Sequence, residues 1–426
     1  MSASASRTEP LKVAVLSSAS GGGAGIAARR LTDALNLSEE VQADFLDMVA
    51  LGERMPDDAA PPGNMSNRKM TDTHFTVEFT GYMRGWIIDL LQDYDVLNIH
   101  WASFLLGLAE IDELSRRGMP ILFTCHDYYY FTGGCHYPAE CNKLAKGCIA
   151  CPQVNTDYCS PSVISANLKI KKRILSRPNV HLAAPSAFLV NEAVSAGMIA
   201  SERTHVLRNA YVPVPGVNRQ SSNGPPRILL LADSMTERRK AMPLAIEALA
   251  LAWISLKDKS SASEAPFVVD VIGRADEEFV RAVNRAGFDH VLHGRITEHE
   301  RIAGLLARCD FLLTCSFEDN WPNVLVEAGS YGVVPIVGPG HGCEEFCRLY
   351  GIGEVAQSYS KKAFGDSIVK CVAKMQVWGT DGLIKAVTND HNPRKIGQEY
   401  LDKIKRFVGS TANVASTRLG TGQDGP

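Results

Sequence analysis

The sequence predicts an α/β protein made of two facing doubly wound domains with a cleft between them. Three observations predict this. The chain has 426 residues, more than one ordinary domain holds. Near-continuous apolar runs alternate with helical stretches in both halves, the pattern of parallel sheets covered on both faces. A Pro- and Gly-rich stretch, VPVPGVNRQSSNGPP (212–226), separates the two series and reads as a linker. The composition agrees: 45% of residues are apolar and 21% charged, which suits folded cores. The formal net charge of -3 lacks the basic excess of a nucleic-acid binder.

The elements follow in order. KVAVLSS (12–18) is a buried strand that runs into SGGGAG and then IAARRLTDAL, where Ala27, Leu31, Ala34 and Leu35 recur at helical spacing. Residues 51–75 are rich in Pro, Asn, Asp and Met without periodicity and read as a loop. DVLNIHW (95–101), PILFTCHD (120–127) and VHLAAPS (180–186) are strands, with a helix in GLAEIDELSRRG. This series, residues 1–211, forms the first domain. The second, 227–392, starts with RILLLADS and MPLAIEALALAWI, continues through FVVDVIGRA and HVLHGRI, and ends with DFLLTCS, NVLVEAGSYG and VPIVGPG. A last helix over 393–408 carries Ile396, Tyr400, Ile404 and Phe407 on one face, followed by a Gly/Thr/Ser tail (409–426) expected to be disordered.

The opening MSASASRTEPLK has no apolar run of signal-peptide length, and no run of about 18 apolar residues marks a membrane span. The expected place is the cytoplasm, with peripheral contact at the inner face of the membrane left open. The basic runs Lys171–Arg173 and Arg238–Lys240 are solvated faces unless something else supports them.

Ligands of doubly wound sheets bind outside the carboxyl ends of the strands, so the site is expected in the cleft. Gly21–Gly22–Gly23–Ala24–Gly25 lies between strand and helix. Gly22 and Gly23 there let a ligand approach the backbone at a helix N-terminus, or they simply make a tight turn. In the second half, Glu318 and Asp319 follow a strand, and Asn323 and Glu327 open a helix behind Pro322. A carboxylate such as Glu327 accepts both hydrogen bonds of a ribose diol. Acids at a helix start are also ordinary caps. Arg239 and Lys240, just before a helix, suit an anionic group. His126 ends a strand ahead of Asp127, where a neutral imidazole can meet a sugar hydroxyl. In GPGHGCEE, Gly340 and Gly342 flank His341 in a loop that Glu344 or Glu345 would stabilise.

The segment SFEDNWPNVLVEAGSYGVVPIV resembles the donor-site region of glycosyltransferase family 4, retaining enzymes of the GT-B fold. Asp319 stands where that family carries the first glutamate of its pair, and Glu327 is the second. SGGGAGIAARRLTDAL is similar to the family's glycine-rich first loop. HDYYYFTGGCHY (126–137) resembles a bacterial polysaccharide-biosynthesis subgroup with an HDxxxFTGGCHY run. ERRKAMPLAIEAL matches that subgroup's Arg-Lys-Gly, with Ala241 for the glycine and Met235 for a more distant arginine.

The resemblance implies two Rossmann-like domains, acceptor on the N-terminal side and nucleotide-sugar on the C-terminal side, with the last helix packing back on the first. It implies transfer from a UDP- or GDP-sugar to a glycan or lipid-linked acceptor, with retention and without a catalytic metal. His126, Lys240, Asp319 and Glu327 are the catalytic candidates, and Gly22, Gly23, Arg239, Lys240, Glu318, Asp319, Asn323 and Glu327 the donor-binding ones. The departures at Asp319, Ala241 and Met235 keep two alternatives: a non-catalytic sugar-nucleotide or glycan-binding protein, and a GT-B nucleotide-sugar epimerase.

Eleven cysteines include Cys135-x5-Cys141-x6-Cys148-x2-Cys151, with His136 and Cys159 nearby. Structural zinc on Cys135, Cys141, Cys148 and Cys151, metal-free thiols and disulfides are the three readings. Cys309, Cys315 and Cys371 sit in apolar contexts as small core residues. The aromatic residues of TVEFTGYMRGWIIDLL and Tyr128–Phe131 either line the core or cleft wall, or face a lipid-linked acceptor.

Overall fold

The computed structural model describes residues 9–54, 65–67, 75–78, 83–139, 141–154, 159–220, 224–258 and 265–419. It divides into two compact units. The first holds the residues up to Ala210 together with those from Asn392 on, and the second holds Tyr211–His391.

The first unit begins with β1 (Leu11–Ser17), α1 (Gly22–Leu35), β2 (Val41–Leu46) and α2 (Met48–Gly52). Short strands β3 (Met65–Asn67) and β4 (Thr76–Glu78) pair antiparallel. Then come α3 (Gly85–Gln92), β5 (Val96–Trp101), α4 (Leu108–Arg116) and β6 (Ile121–Thr124). The unit continues with α5 (Pro161–Leu175), β7 (Val180–Ala184), α6 (Ala187–Ser195) and β8 (Thr204–Val206). Its main sheet is parallel in the order β2-β1-β5-β6-β7-β8, with Val13 beside Ala43 on one side and Val96 on the other. Alternation sends Leu97, Ile99, Ile121 and Phe123 to one core and Val13, Val15, Val96 and Leu122 to the other.

The second unit holds β9 (Arg227–Ser234), α7 (Met242–Lys257), β10 (Val268–Arg274), α8 (Glu277–Arg285) and β11 (Asp289–Gly294). It goes on with α9 (His299–Leu306), β12 (Phe311–Thr314), α10 (Asn323–Gly329) and β13 (Val334–Val337). It closes with α11 (His341–Tyr350), β14 (Glu354–Val355), α12 (Lys361–Ala373) and α13 (Thr380–Asp390). The sheet order is β11-β10-β9-β12-β13-β14, again parallel. Cys309, Cys315 and Cys371 are buried in its single core. Tyr128–Phe131 are buried in the core of the first unit, and residues 79–82 of the aromatic segment lie outside the described residues.

The chain then returns as α14 (Pro393–Leu419) to the first unit. Its stripe Ile396, Tyr400, Leu401, Ile404 and Phe407 is buried against Leu31, Val13 and Leu122. Each such side chain contributes roughly 1.5–3 kcal/mol by leaving water. Gly397 sets the approach to α1, since a Cβ there would stand 2.3 Å from the Ala34 carbonyl oxygen. The helix runs past the Val408 end expected from composition, because residues 410–419 contain neither glycine nor proline to stop it. Residues 420–426 of the expected tail lie outside the described residues.

The stretch read as a linker is fastened to the second unit. Val214 N donates to the Tyr331 hydroxyl at 2.8 Å, Gln220 N to the Ala307 carbonyl at 2.8 Å, and Arg219 to the Asp310 carboxylate at 2.7 Å. Proline and glycine mark the turns of this segment but not what it binds. Of the loop expected over 51–75, 55–64 and 68–74 lie outside the described residues. Among the described residues no helix is long and apolar enough to cross a membrane.

Candidate functional site

In each sheet the strand order reverses at one point, and the loops that leave the carboxyl ends there are where ligands bind. In the second unit that point lies between β9 and β12. The chain leaving β9 makes a 3-10 turn over Arg238–Lys240, and the chain leaving β12 carries Glu318 and Asp319. The two turns are joined by the backbone, Phe317 N donating to the Arg239 carbonyl at 2.9 Å.

The side chains then meet on one oxygen. Lys240 Nζ donates to Asp319 Oδ2 at 2.5 Å and an Arg239 guanidinium nitrogen donates to the same oxygen at 3.0 Å. Arg239 also donates to the Glu318 carbonyl at 2.8 Å and to Glu237 Oε1 at 3.0 Å. Burial by itself raises the Asp319 carboxyl; the Lys240 and Arg239 charges more than reverse this and hold it at about 2. Asp319 is therefore the counter-ion that fixes two cations in place.

Ala241, which closes the turn, has φ 50 and ψ 41, a left-handed conformation that favours glycine. It costs alanine roughly 1 kcal/mol. Met235 is buried and takes no part in the charged group. Arg238 is exposed.

A third loop, after β13, completes this rim. GPGHG was read as a loop throughout, but α11 begins at His341, so Glu344 and Glu345 are helical. Glycine content masked the helix start. Gly342 N donates to the Asp319 carbonyl at 3.1 Å, and a Cβ on Gly342 would fall 1.1 Å from the Asn320 carbonyl oxygen. Only glycine lets the helix start this close to the Asp319 turn. His341 itself has φ 59, and burial lowers its pKa. The Tyr359 hydroxyl bridges the Ser316 and Pro339 carbonyls at 3.1 and 2.9 Å, tying this loop to the acidic one. Asn323 and Glu327 stand on α10, four positions apart on one face, both half-buried. Glu318 is buried.

In the first unit the order reverses between β1 and β5. The glycine turn leaves β1. Gly22 has φ 70 and starts α1, while a Cβ on Gly25 would meet the Ala19 carbonyl oxygen at 2.1 Å. Around Gly22 and Gly23 a Cβ would meet nothing within 4 Å, so the backbone there is open to a ligand.

His126 follows β6. Its Nε2 lies 2.8 Å from Nδ1 of His100, and the two rings stack at 5.0 Å. Burial lowers the His126 pKa to about 4, so the ring is neutral at ordinary pH. Asp127 turns away from it: one oxygen binds His136 Nδ1 at 2.7 Å, and the other accepts from Tyr129 N at 2.9 Å. His136 Nε2 reaches Thr76 Oγ1 at 2.9 Å, and its ring stacks on Tyr129.

Beneath them Lys171 is buried and donates to the Tyr129 and Thr132 carbonyls at 2.6 and 3.1 Å. Burial pulls its pKa to about 7. The basic run Lys171–Arg173, read as a solvated face, thus splits: Lys172 and Arg173 are exposed, whereas Lys171 points inward and holds the HDYYYFT turn. The helical period of α5 carries that signal. His100 was missed because a histidine inside an apolar strand gives no local sign of its partner.

The cysteine loop holds Cys135, Cys141, Cys148 and Cys151 close enough to perturb one another electrostatically. All eleven cysteines are free thiols, and burial raises the Cys135, Cys148 and Cys151 thiols. Among the described residues no group of three or more His, Cys, Asp or Glu is arranged to hold a metal ion.

Residues 218–375 match the family model described as Glycosyl transferases group 1. No curated protein matches the chain. Solved structures of the same fold include Anabaena Alr3699/HepE, determined with UDP and glucose, at 14% identity and TM-score 0.60 over 93% of this chain and 100% of that one. Sucrose-phosphate synthase from Thermosynechococcus elongatus aligns at 14% identity and TM-score 0.59, covering 94% of this chain and 100% of that one. A glycosyltransferase from Rickettsia africae aligns at 12% identity and TM-score 0.60, covering 94% and 99%.

The family-4 assignment is corrected by the first of these findings. The model that matches is that of group 1, and it stops short of the HDxxxFTGGCHY run, so the polysaccharide subgroup gains nothing from it. The acid-and-helix motif that suggested family 4 lies inside the residues that the group 1 model matches. Residues 218–375 are thus similar to the glycosyl transferases group 1 model, and the chain has a two-unit α/β fold of the GT-B type.

Proposed function

We propose that this chain transfers a sugar from a UDP- or GDP-sugar to a glycan or lipid-linked acceptor in surface polysaccharide biosynthesis, with retention at the anomeric carbon. The observation that carries the reading is the pair Arg239 and Lys240, pinned by Asp319 at the switch point of the second sheet. A departing nucleoside diphosphate gains negative charge as the glycosidic bond breaks. Two prefixed cations stabilise that charge without reorganising in the transition state.

Asn323 and Glu327 on α10 would take the ribose hydroxyls, with the Glu318 and Asp319 turn nearer the sugar. In the first unit, Gly22 and Gly23 would offer open backbone to the ligand, and His126 would meet a sugar hydroxyl. A carboxylate held at about 2 is a poor base. A phosphate oxygen, with a second pKa of about 6, is better suited to take the acceptor's proton. That favours attack on the face the diphosphate leaves, hence retention.

A cytoplasmic place at the inner face of the membrane belongs to the same proposal. So does a structural zinc on Cys135, Cys141, Cys148 and Cys151, whose thiols would have to turn toward one point to take it. Elemental analysis finding about one zinc per chain supports that part, and less than a tenth removes it.

The test is a thermal-shift panel of UDP-, GDP-, ADP- and TDP-sugars, followed by product analysis with the donor that stabilises most. A selective shift with no transfer or hydrolysis would leave a binding protein. No shift with any donor would remove the reading.

A further inference from the structure

Trp101 ends β5 at the switch point of the first sheet, and the strand is irregular there. Leu16 of β1 pairs with Ile99 of β5, but Ser17 pairs with Trp101, so β5 carries one extra residue, His100, at its carboxyl end. A bulge of this kind re-aims a side chain and is common beside ligand sites. The turn that follows holds Phe104 at φ 68. A left-handed backbone is strained for an aromatic residue, and such strain persists only where the surroundings impose it.

Hydrogen bonds impose it here. Ser18 N donates to the Trp101 carbonyl at 2.6 Å, and Ser18 Oγ donates to the same oxygen at 2.8 Å. The indole Nε1 of Trp101 donates to Ser103 Oγ at 2.8 Å. Ala102 N donates to the Tyr130 hydroxyl at 3.0 Å, and Leu105 N to the Ala102 carbonyl at 2.8 Å. The indole and the His136 ring meet edge to face at 5.4 Å, and His136 stacks in turn on Tyr129 at 5.0 Å. His136 and Tyr129 are buried, whereas Trp101 is half-buried. Trp101 is therefore the outer end of a ring stack, fixed at its backbone and at its ring nitrogen.

An indole whose N–H is satisfied within the protein offers a ligand its apolar ring. The ring face carries the negative side of the quadrupole and suits C–H groups of slight positive charge. The C–H face of a pyranose has that character, with hydroxyls around its edge. Trp101 follows His100, whose Nδ1 lies 2.8 Å from His126 Nε2, so the histidine read as a hydroxyl contact is close by. A lipid tail would want a wider apolar surface. No side chain of the 102–107 turn is mostly exposed, and residues 18–21 after β1 are serine, alanine and glycine.

We propose that Trp101 is a stacking platform for a pyranose ring of the acceptor. The inference deepens the proposed function and rests on it for the role of that sugar as acceptor. The cations that suit a nucleotide-sugar, Arg239 and Lys240, belong to the second unit, which leaves an uncharged ring site in the first for the other substrate. Because the indole is already fixed, little side-chain freedom is lost when the sugar docks.

The test uses the full chain labelled with 5-fluorotryptophan, in which each of the five tryptophans gives one 19F signal. The Trp101 signal is the one lost in Trp101→Phe. Should that variant not fold, it is the one left when Trp86, Trp253, Trp321 and Trp378 are replaced one at a time. Methyl glycosides of glucose, galactose and mannose stand in for the acceptor. At least one is expected to shift the Trp101 signal saturably, while sorbitol, which has hydroxyls but no ring, leaves it in place. Saturation-transfer spectra should show that glycoside binding about tenfold more weakly to Trp101→Ala and less than about threefold more weakly to Trp101→Phe, which keeps a ring face.

A Trp101 signal that no glycoside moves, or that sorbitol moves equally, overturns the proposal. So does a signal that only the nucleotide-sugars move, which would give the ring to the donor, and so does unchanged glycoside binding in Trp101→Ala. If glycosides bind at Trp101 but no nucleotide-sugar stabilises the chain in the thermal-shift panel, the platform stands as a glycan site and the transfer reading fails.

Discussion

The two sheet rims are built from opposite materials. The rim of the second unit concentrates charge: Arg239 and Lys240 converge on one oxygen of Asp319, with Glu237 behind them. The rim of the first unit holds uncharged rings: His100 and His126 are both pushed toward the neutral form by burial. The charge it has, on Asp127, is turned back into its own support through His136 and Tyr129. A charged rim suits a group that gains charge during reaction. A neutral, hydrogen-bonding rim suits hydroxyls that must be oriented but not ionised. Under the proposed function the contrast is a division of labour between leaving-group stabilisation and sugar recognition.

The largest effect should come from removing a cation. Lys240→Ala is expected to lower turnover by roughly 10²-fold or more and to weaken binding of the nucleoside diphosphate. Steady-state kinetics with the selected donor, paired with calorimetry, measure both. Unchanged turnover would move the role to Arg239 and blunt the contrast.

Asp319→Asn should act in two directions. Removing the counter-charge leaves the cations more exposed to the ligand, so bare nucleotide should bind severalfold tighter. Loosening their fixed geometry should lower turnover by about tenfold. Weaker nucleotide binding in this variant would show that Asp319 contacts the ligand as well as the cations.

Acid should separate the units. His126 is lowered from 6.5 to about 4, and burial likewise lowers His181 and His205 to about 4. The unfolded chain takes up protons that these folded rings refuse. Their contribution to stability is full above about 6.5 and is lost as pH falls through about 4. Asp319 is lowered from 3.8 to about 2, so its contribution is full above 3.8 and lost only as pH falls through about 2. Burial also lowers His341 in the second unit, so the separation is one of degree: hydrogen-exchange protection of β5 and β6, corrected for intrinsic rates, should decline more between pH 6.5 and 4 than that of β9 and β12. Simultaneous loss would mean that the histidines titrate normally.

The smallest effect is a gain. Ala241→Gly should relieve the left-handed turn and stabilise the protein by up to about 1 kcal/mol, raising Tm by a few degrees. A lower Tm would mean that the backbone entropy of glycine outweighs the strain.

Much of this was legible residue by residue. RILLLADS coincides with β9, and the four strands named in the first half each fall on an observed strand, because buried parallel strands are apolar runs with turn residues at their ends. Arg239, Lys240 and Asp319 were singled out as chemistry-bearing, and they do meet. The N-terminus of α11 was not legible, since GPGHG signals a turn and only the closeness of the Asn320 carbonyl explains Gly342. Lys171 was misjudged with its neighbours because a basic run shows composition, while the helix decides which of its members points inward.

The sequence by itself determined the alternation of strands and helices, the glycine turns and the kinds of side chain at each strand end. All of these follow from local periodicity and backbone preference. Only the tertiary structure decided partnership. Asp319 lies 79 positions from Lys240, and His126 lies 26 from His100. Ion pairs and hydrogen bonds act over a few ångströms, and which distant loops come that close depends on sheet order. That β9 lies beside β12, and that α14 returns to cover the first sheet, is settled by the burial of whole faces and is written in no local window of the chain.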